Sequence, residues 1–385
     1  MLRYKKTTVC IAALCAFTAF PAISADVYLG NAGETKNNWT ANNLSAQYKD
    51  NNAPATFSVY GGHNSENSGS QGEIVKSSGD ITLMFKKLPN DVLLDDIFAG
   101  GRAWGTGVST TVGNTHIIID TGDSEVMSGD ILGGGHAYHF TTKSEGKKFG
   151  AISIAGDTLI EMNSGIANGL IFGGGYATGY ASNPYDADNP AAYQAESRVG
   201  NTHIIINGGT VTEAVIGGGK VRINSEAKDY LKGISTVESV HIEMTGGTVG
   251  GIIGGGFSQT GRNKEDSASE IRTAIATVNG NTHIEIKGGT VKKLYNDDIN
   301  ASLQITNDKF DGAIAGGGVA GFGGTDVANN RFSKVESKGD ISIQITGATV
   351  NGAIYGGAIS ASGHRDNGAN NGDGGIASVI NIGTK

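Results

Sequence analysis

Gly280-Asn281-Thr282-His283-Ile284-Glu285-Ile286-Lys287-Gly288-Gly289-Thr290-Val291 is the stretch that decides the fold. Thr282, Ile284 and Ile286 fall on one side of an extended chain. His283, Glu285 and Lys287 fall on the other. That period of two is the pattern of a strand with one buried face. Gly288-Gly289 then predicts a turn, because glycine takes positive φ without steric cost. Thr290-Val291 begins a second strand.

The block recurs. Copies start at Gly79, Gly113, Gly156, Gly200, Glu238, Gly280 and Gly339, spaced 34, 43, 44, 38, 42 and 59 residues apart. Each leads to a second block ending in glycines. These are Ile97-Phe98-Ala99-Gly100-Gly101, Ile131-Leu132-Gly133-Gly134-Gly135, Ile171-Phe172-Gly173-Gly174-Gly175 and Val215-Ile216-Gly217-Gly218-Gly219. The series continues with Ile252-Ile253-Gly254-Gly255-Gly256, Ile314-Ala315-Gly316-Gly317-Gly318 and Ile354-Tyr355-Gly356-Gly357-Ala358. A half-copy, Val59-Tyr60-Gly61-Gly62, precedes them. One unit cannot bury its own apolar face, so units must stack. The expected fold is all-β, a right-handed parallel β-helix (β-solenoid) of Gly-rich repeats. Whether one unit makes one coil or two is open at this point.

The expected organisation has three parts. Residues 1–25 read as a signal peptide: Arg3, Lys5 and Lys6 are followed by an apolar run from Val9 to Phe20 and small residues up to Ala25. Residues 26–78 are expected to hold an N-terminal cap and the first half-repeat. Residues 79–385 are the solenoid repeats. Val379-Ile380-Asn381-Ile382 reads as the start of another first strand, which suggests a chain cut within a longer array.

Composition narrows the function. The 385 residues include 62 Gly and only 5 Pro, which argues against collagen and Pro-rich disorder. Both cysteines, Cys10 and Cys15, lie in the leader, so no disulfide is expected in the mature chain. Without the leader, 26 basic residues face 37 acidic ones, a balance of −11. That disfavours nucleic acid and anionic membrane as partners.

Variable stretches follow every triple-glycine block, at residues 136–150, 176–199, 220–236, 257–278 and 319–337. They are expected to emerge as loops from one side, the common binding face of solenoids. In the stretch 176–199, Tyr176, Tyr180, Tyr185 and Tyr193, with Asp186 and Asp188, are candidate binding residues. The same tyrosines would also serve to pack their own loop.

Other constellations weigh less. His116, His203, His241 and His283 hold the same place in their units, and His203, His241 and His283 come from consecutive units. A stacked imidazole ladder suits a transition metal. Leu159 and Ser342 fill that place elsewhere, which favours a merely solvated ladder, so no metal site and no cofactor is assigned. Asp186 with Asp188, Asp297 with Asp298, and the tail from His364 to Gly374 have a calcium-loop flavour but match no calcium motif. Gly316-x-Gly318-x-x-Gly321 matches the dinucleotide fingerprint only formally, with no helix pattern after it. Lys220, Arg222, Asp229 and Lys232, near Glu213, are the cluster a carbohydrate-active β-helix enzyme would need; a charged surface loop explains them as well. No catalytic constellation emerges.

The leader, the Gly-rich strand repeats and the Thr-Val/Ile-x-Gly-Gly-Gly phrasing resemble the passenger regions of bacterial autotransporters, over about residues 57–385. Many such passengers are adhesins. The resemblance implies an exported, non-catalytic protein at the cell surface or outside the cell, presenting loops to a surface protein or glycan ligand, with self-association as a further option. It also implies a β-barrel translocator in a full-length chain. Nothing here resembles that barrel, and without one the protein would be periplasmic. A polysaccharide lyase or glycosidase, and a nonfunctional truncated remnant, are the alternatives.

Overall fold

The computed structural model describes residues 27–28, 55–67, 72–86, 92–127, 129–141, 147–181, 188–223, 230–260, 271–294, 312–321, 332–360 and 376–379. The leader, Tyr185, Asp186, Asp229, Asp297, Asp298 and the tail from His364 to Gly374 lie outside them. Among the described residues the only helical element is one 3-10 turn, Pro190–Tyr193. Every strand pair is parallel, as a β-solenoid requires.

One repeat unit makes one coil of four strands. In one coil the first strand is Thr202–Ile206, the second Thr210–Ile216, the third Lys220–Ile223 and the fourth Tyr230–Val237. Each pairs in register with its counterpart one repeat on: Thr202 with Val240, Val215 with Ile252, Lys220 with Phe257, Tyr230 with Ile271. The open question of one coil or two resolves to one. The stretch before residue 79 already contributes a second, third and fourth strand, at Ala55–Tyr60, Asn64–Asn67 and Ile74–Ser77.

Local chemistry sets each corner. Between the first two strands, Gly209, Gly247 and Gly289 take φ of +79°, +79° and +86°, so only glycine is comfortable there. Between the fourth strand and the next first strand, a column of Asn and Asp ties coil to coil. Asp80 Oδ1 accepts the Asn114 amide at 2.8 Å, Asn114 Oδ1 that of Asp157 at 2.9 Å, and Asp157 Oδ1 that of Asn201 at 2.7 Å. The side chains thereby extend the backbone ladder around a bend where strand pairing stops.

The triple-glycine corner is the centre of the fold. The two second-strand residues before the glycines are buried on both faces in every coil but the last, where Ile354 and Tyr355 are exposed. Ile131, Ile171, Val215 and Ile252 face a core shared with the first strand. Their neighbours Leu132, Phe172, Ile216 and Ile253 face away and pack with the first residues of the third strand, such as Phe257 and Val319. The chain therefore bends outward at the glycines, and the second and third strands form an elbow. Beyond it, the third and fourth strands enclose a thin core of small residues, including Ala177, Ala195, Ala274 and Ala276. Thr115, Thr158 and Thr202 each donate to the first glycine carbonyl of their own coil, at 2.7, 2.7 and 2.8 Å. A Cβ on Gly174 would lie 2.7 Å from Gly219 Cα, and one on Gly175 2.2 Å from Ser197 Oγ. Each buried isoleucine of these cores contributes roughly 1.5–3 kcal/mol.

Two expectations change. The variable stretches 136–150, 176–199, 220–236, 257–278 and 319–337 are not loops leaving the glycine corner. Each opens with a third strand and runs into a fourth, as His136–Thr141 and Ala151–Ala155 do. The length differences fall between those two strands. Two residues, 106–107, suffice in one coil; ten, 261–270, intervene in another. The elbow by contrast always takes three residues. The second change is at the C-terminus: Val379 does not start a first strand. It closes a fourth strand, Ile376–Val379, paired with Ser337. Val379 stands in the same register column as Val278, the last residue of an earlier fourth strand, and a valine at that place in the sequence reads equally well as a first-strand residue.

Candidate functional site

The elbow brings together a set of aromatic and charged side chains. The second strand offers Tyr60 and Phe98 in neighbouring coils. The third strand offers Asn64, Arg102, His136, Tyr176, Lys220 and Phe257 in one column. Rings from the two columns interleave. Tyr60 stacks on Phe98 with centroids 4.7 Å apart, Phe98 on His136 at 5.0 Å, and His136 on Tyr176 at 4.9 Å, all within 8° of parallel. The Lys220 ammonium ends the pile, 4.9 Å from the Tyr176 centroid and 5.6 Å from that of Phe172. It also pairs with Asp130.

Two residues further along the third strand, the side chains are half-exposed. Trp104 and Tyr138 stack at 6.1 Å. Arg102 lies 5.8 Å from the Trp104 ring centroid and 5.9 Å from that of Tyr60. Arg222 continues this column and is exposed. The result is a half-buried, stacked aromatic pair with Arg102 over the Trp104 ring and the exposed Arg222 further along the column.

The acids behind the elbow have structural partners. Asp96 Oδ1 accepts the Asp130 amide at 2.7 Å, and Asp130 Oδ1 the Leu170 amide at 3.0 Å. Burial, then the neighbouring Asp130 carboxylate, push the Asp96 pKa up to about 6. Burial works against the charge on Lys220, but Asp130 and Tyr176 outweigh it and hold its pKa above the ordinary value. His136 is pushed down to about 3, first by burial and then by Arg102 and Lys220.

These two shifted groups make stability respond to pH in opposite senses. Asp96 has a raised folded pKa, so its contribution is fully present below about pH 3.8 and is lost as pH rises through about 6. His136 has a depressed folded pKa, so its contribution is present above about pH 6.5 and is lost as pH falls towards 3. Between about pH 6 and 4 they largely cancel. On acidification from about pH 6.5 to about 4, His136→Phe should gain, and Asp96→Asn lose, about 3 kcal/mol relative to the parent. Urea unfolding at several pH values measures this; parallel curves for all three proteins would refute it.

The sequence candidates scatter. Tyr176 and Tyr180 sit on the third strand Tyr176–Ala181, not in a loop. Tyr176 belongs to the ring pile, and the Tyr180 side chain lies outside the described residues. Tyr193 is 1% exposed and packs beside His139, at 6.3 Å, so it is a core residue and not a contact residue. Its 3-10 turn folds it back onto the solenoid. Asp188 is exposed. The Lys220 cluster does not converge: Lys220 turns into the elbow, Arg222 faces solvent, Lys232 lies on the fourth strand and Glu213 on the second. Asp96, Asp130, Trp104 and Tyr138 were missed. Their signal was the spacing to the glycine block, Asp before Ile-x-Gly-Gly and aromatic residues after it.

The histidine column stands on the solvent face of the first strand. His203 pairs with His241, and His241 with His283. Their ring centroids are 4.4 Å apart at 6°, and 5.0 Å apart at 44°. His116 is engaged separately, with Nε2 2.7 Å from Glu161 Oε2.

Comparison with protein-family models, curated proteins and solved structures yields no match for this chain.

Proposed function

We propose that the chain is an exported, non-catalytic binding scaffold of the adhesin-type passenger kind, and that it holds a glycan on the Trp104–Tyr138 shelf. The carrying observation is the shelf itself: two stacked aromatic rings, 19° from parallel and half-buried, at consecutive coils. A sugar's apolar face stacks on such rings, and neighbouring arginines donate to its hydroxyls. The ring pile behind the shelf prevents its collapse, so little ordering is needed on binding. A glycan array read with the purified chain should give retained carbohydrates. Trp104→Ala with Tyr138→Ala should weaken them tenfold or more, about 1.4 kcal/mol, in a chain that still unfolds cooperatively well above the assay temperature. Retention unchanged by the double substitution would reject the shelf. Recovery of the protein from the cytoplasm on fractionation would reject export.

A hydrolytic reading draws on one observation, the raised pKa of Asp96 beside Asp130 and Lys220. Both carboxylates cap backbone amides and one is neutralised by lysine, which favours a structural role. Polysaccharide turnover by the parent chain, abolished in Asp96→Asn, would decide for an enzyme.

A further inference from the structure

We propose that His241, His283 and Glu285 form a binding site for a divalent transition-metal ion on the solvent face of the first strands. This does not rest on the glycan reading, since the two sites lie on different strands of the coil.

Donor atoms come first. One ligand atom each from His241, His283 and Glu285 lies within 4.8 Å of the others, and the same holds for His203, His241 and Glu243. These spacings arise from the solenoid itself, which places equivalent residues one coil apart at roughly 4.8 Å. Two imidazoles and a carboxylate suit zinc, cobalt, nickel or copper better than calcium or magnesium. A His-His-Glu set leaves room for water or an external ligand.

Ring geometry chooses between the two trios. His203 and His241 are parallel within 6°, so their in-plane lone pairs run side by side. His241 and His283 are inclined by 44°, which lets the lone pairs converge on one point. The trio with His283 is therefore closer to a ligating arrangement. His241 belongs to both trios, so one ion is expected per chain.

The protonation state is suitable. Burial lowers the pKa of His241, and its neighbours His203 and His283 lower it further. Burial also lowers that of His203. Nε2 of His203 and of His241 has no hydrogen-bond partner. An ion ligated by His241 Nε2 would replace a contact that is otherwise missing. Lys287 is the competing group. Its Nζ lies 2.8 Å from Glu243 Oε1 and 2.8 Å from Glu285 Oε2. Each contact uses one oxygen of its carboxylate, and Lys287 is half in solvent, so its ammonium can swing away.

The test is titration of the purified chain with Zn²⁺ by calorimetry, and with Co²⁺ by visible absorption. One equivalent should bind with micromolar affinity, and bound Co²⁺ should absorb more strongly than the aqueous ion. His241→Asn should weaken Zn²⁺ at least tenfold. His283→Asn should do so more than His203→Asn, and His116→Asn should change nothing. Circular dichroism melts confirm that each variant is folded. Absence of saturable binding, or unchanged affinity in folded His241→Asn, would overturn the site. So would a loss confined to His203→Asn.

Discussion

Gly218→Ala should prevent the chain from folding, or cost more than about 4 kcal/mol of stability. The added Cβ would lie 2.7 Å from both Gly256 N and Gly256 Cα, and 2.8 Å from Gly255 C. All three are backbone atoms of the next coil, so no side chain can move aside. Relief requires the two coils to separate at the elbow, which breaks the hydrogen bond from Gly218 N to Gly255 O, 2.9 Å long. It also parts Ile216 from Ile253 in the adjoining core. Two other glycines serve as controls. A Cβ on Gly72 or Gly356 would meet nothing within 4 Å. Gly356 occupies the same motif as Gly316, where a Cβ would lie 2.5 Å from Ile341 Cγ2. Alanine at Gly72 or Gly356 should leave the urea midpoint within about 0.5 kcal/mol of the parent. An equally mild effect at Gly218 would mean that the coils are not in contact there.

The second large effect is expected at Lys220. Its side chain and that of Asp130 are 14% and 13% exposed, so this pair is mostly out of water. Lys220→Met would keep the packing against Phe172 and Tyr176 but leave Asp130 uncompensated, with Asp96 close by. The expected loss is about 3–5 kcal/mol. Lys220→Met combined with Asp130→Asn should recover most of it, because a neutral amide keeps an oxygen for the Leu170 amide. A double-mutant cycle by urea denaturation measures the coupling. Additive losses would show that the ion pair contributes little, and that the cost lies in the cation–π contacts.

Much of this fold is legible in the sequence, for a physical reason. A solenoid repeats one environment, so one environment leaves one residue pattern many times over. Thr282, Ile284 and Ile286 disclosed the buried face of every first strand. Gly288-Gly289, like Gly208-Gly209 and Gly246-Gly247, disclosed the first bend of its unit. What the pattern hid was the third and fourth strands. They pack against each other largely through alanine, as in Ala177 with Ala195, and the larger Val221, Ile223, Leu231 and Val335 occur only in some coils. Small residues bury a strand without giving it a strong hydrophobic period, and so those stretches read as loops. The elbow was hidden for a related reason. Ile131-Leu132 and Ile171-Phe172 have adjacent apolar residues, which signal burial on both sides but not what covers the second one. Tyr193 misled because a tyrosine in a polar stretch looks exposed until the chain around it is seen to fold back. The histidine column was legible as a column. Its ring angles were not, because they depend on side-chain torsions that no spacing encodes.

The junction between the third and fourth strands has a consequence for how such a protein can change. It accepts anything from two residues, 106–107, to fifteen, 361–375, while the ladders on either side keep their register. Each coil closes its own hydrogen bonds against its neighbours before and after that gap. The gap can therefore lengthen, shorten or be rewritten without a matching change elsewhere. The elbow, held at three residues in every coil, has no such freedom. Heritable variation and laboratory insertion should both concentrate at the first place and be purged at the second. The rod would act as a fixed mount on which the exposed edge is free to diversify.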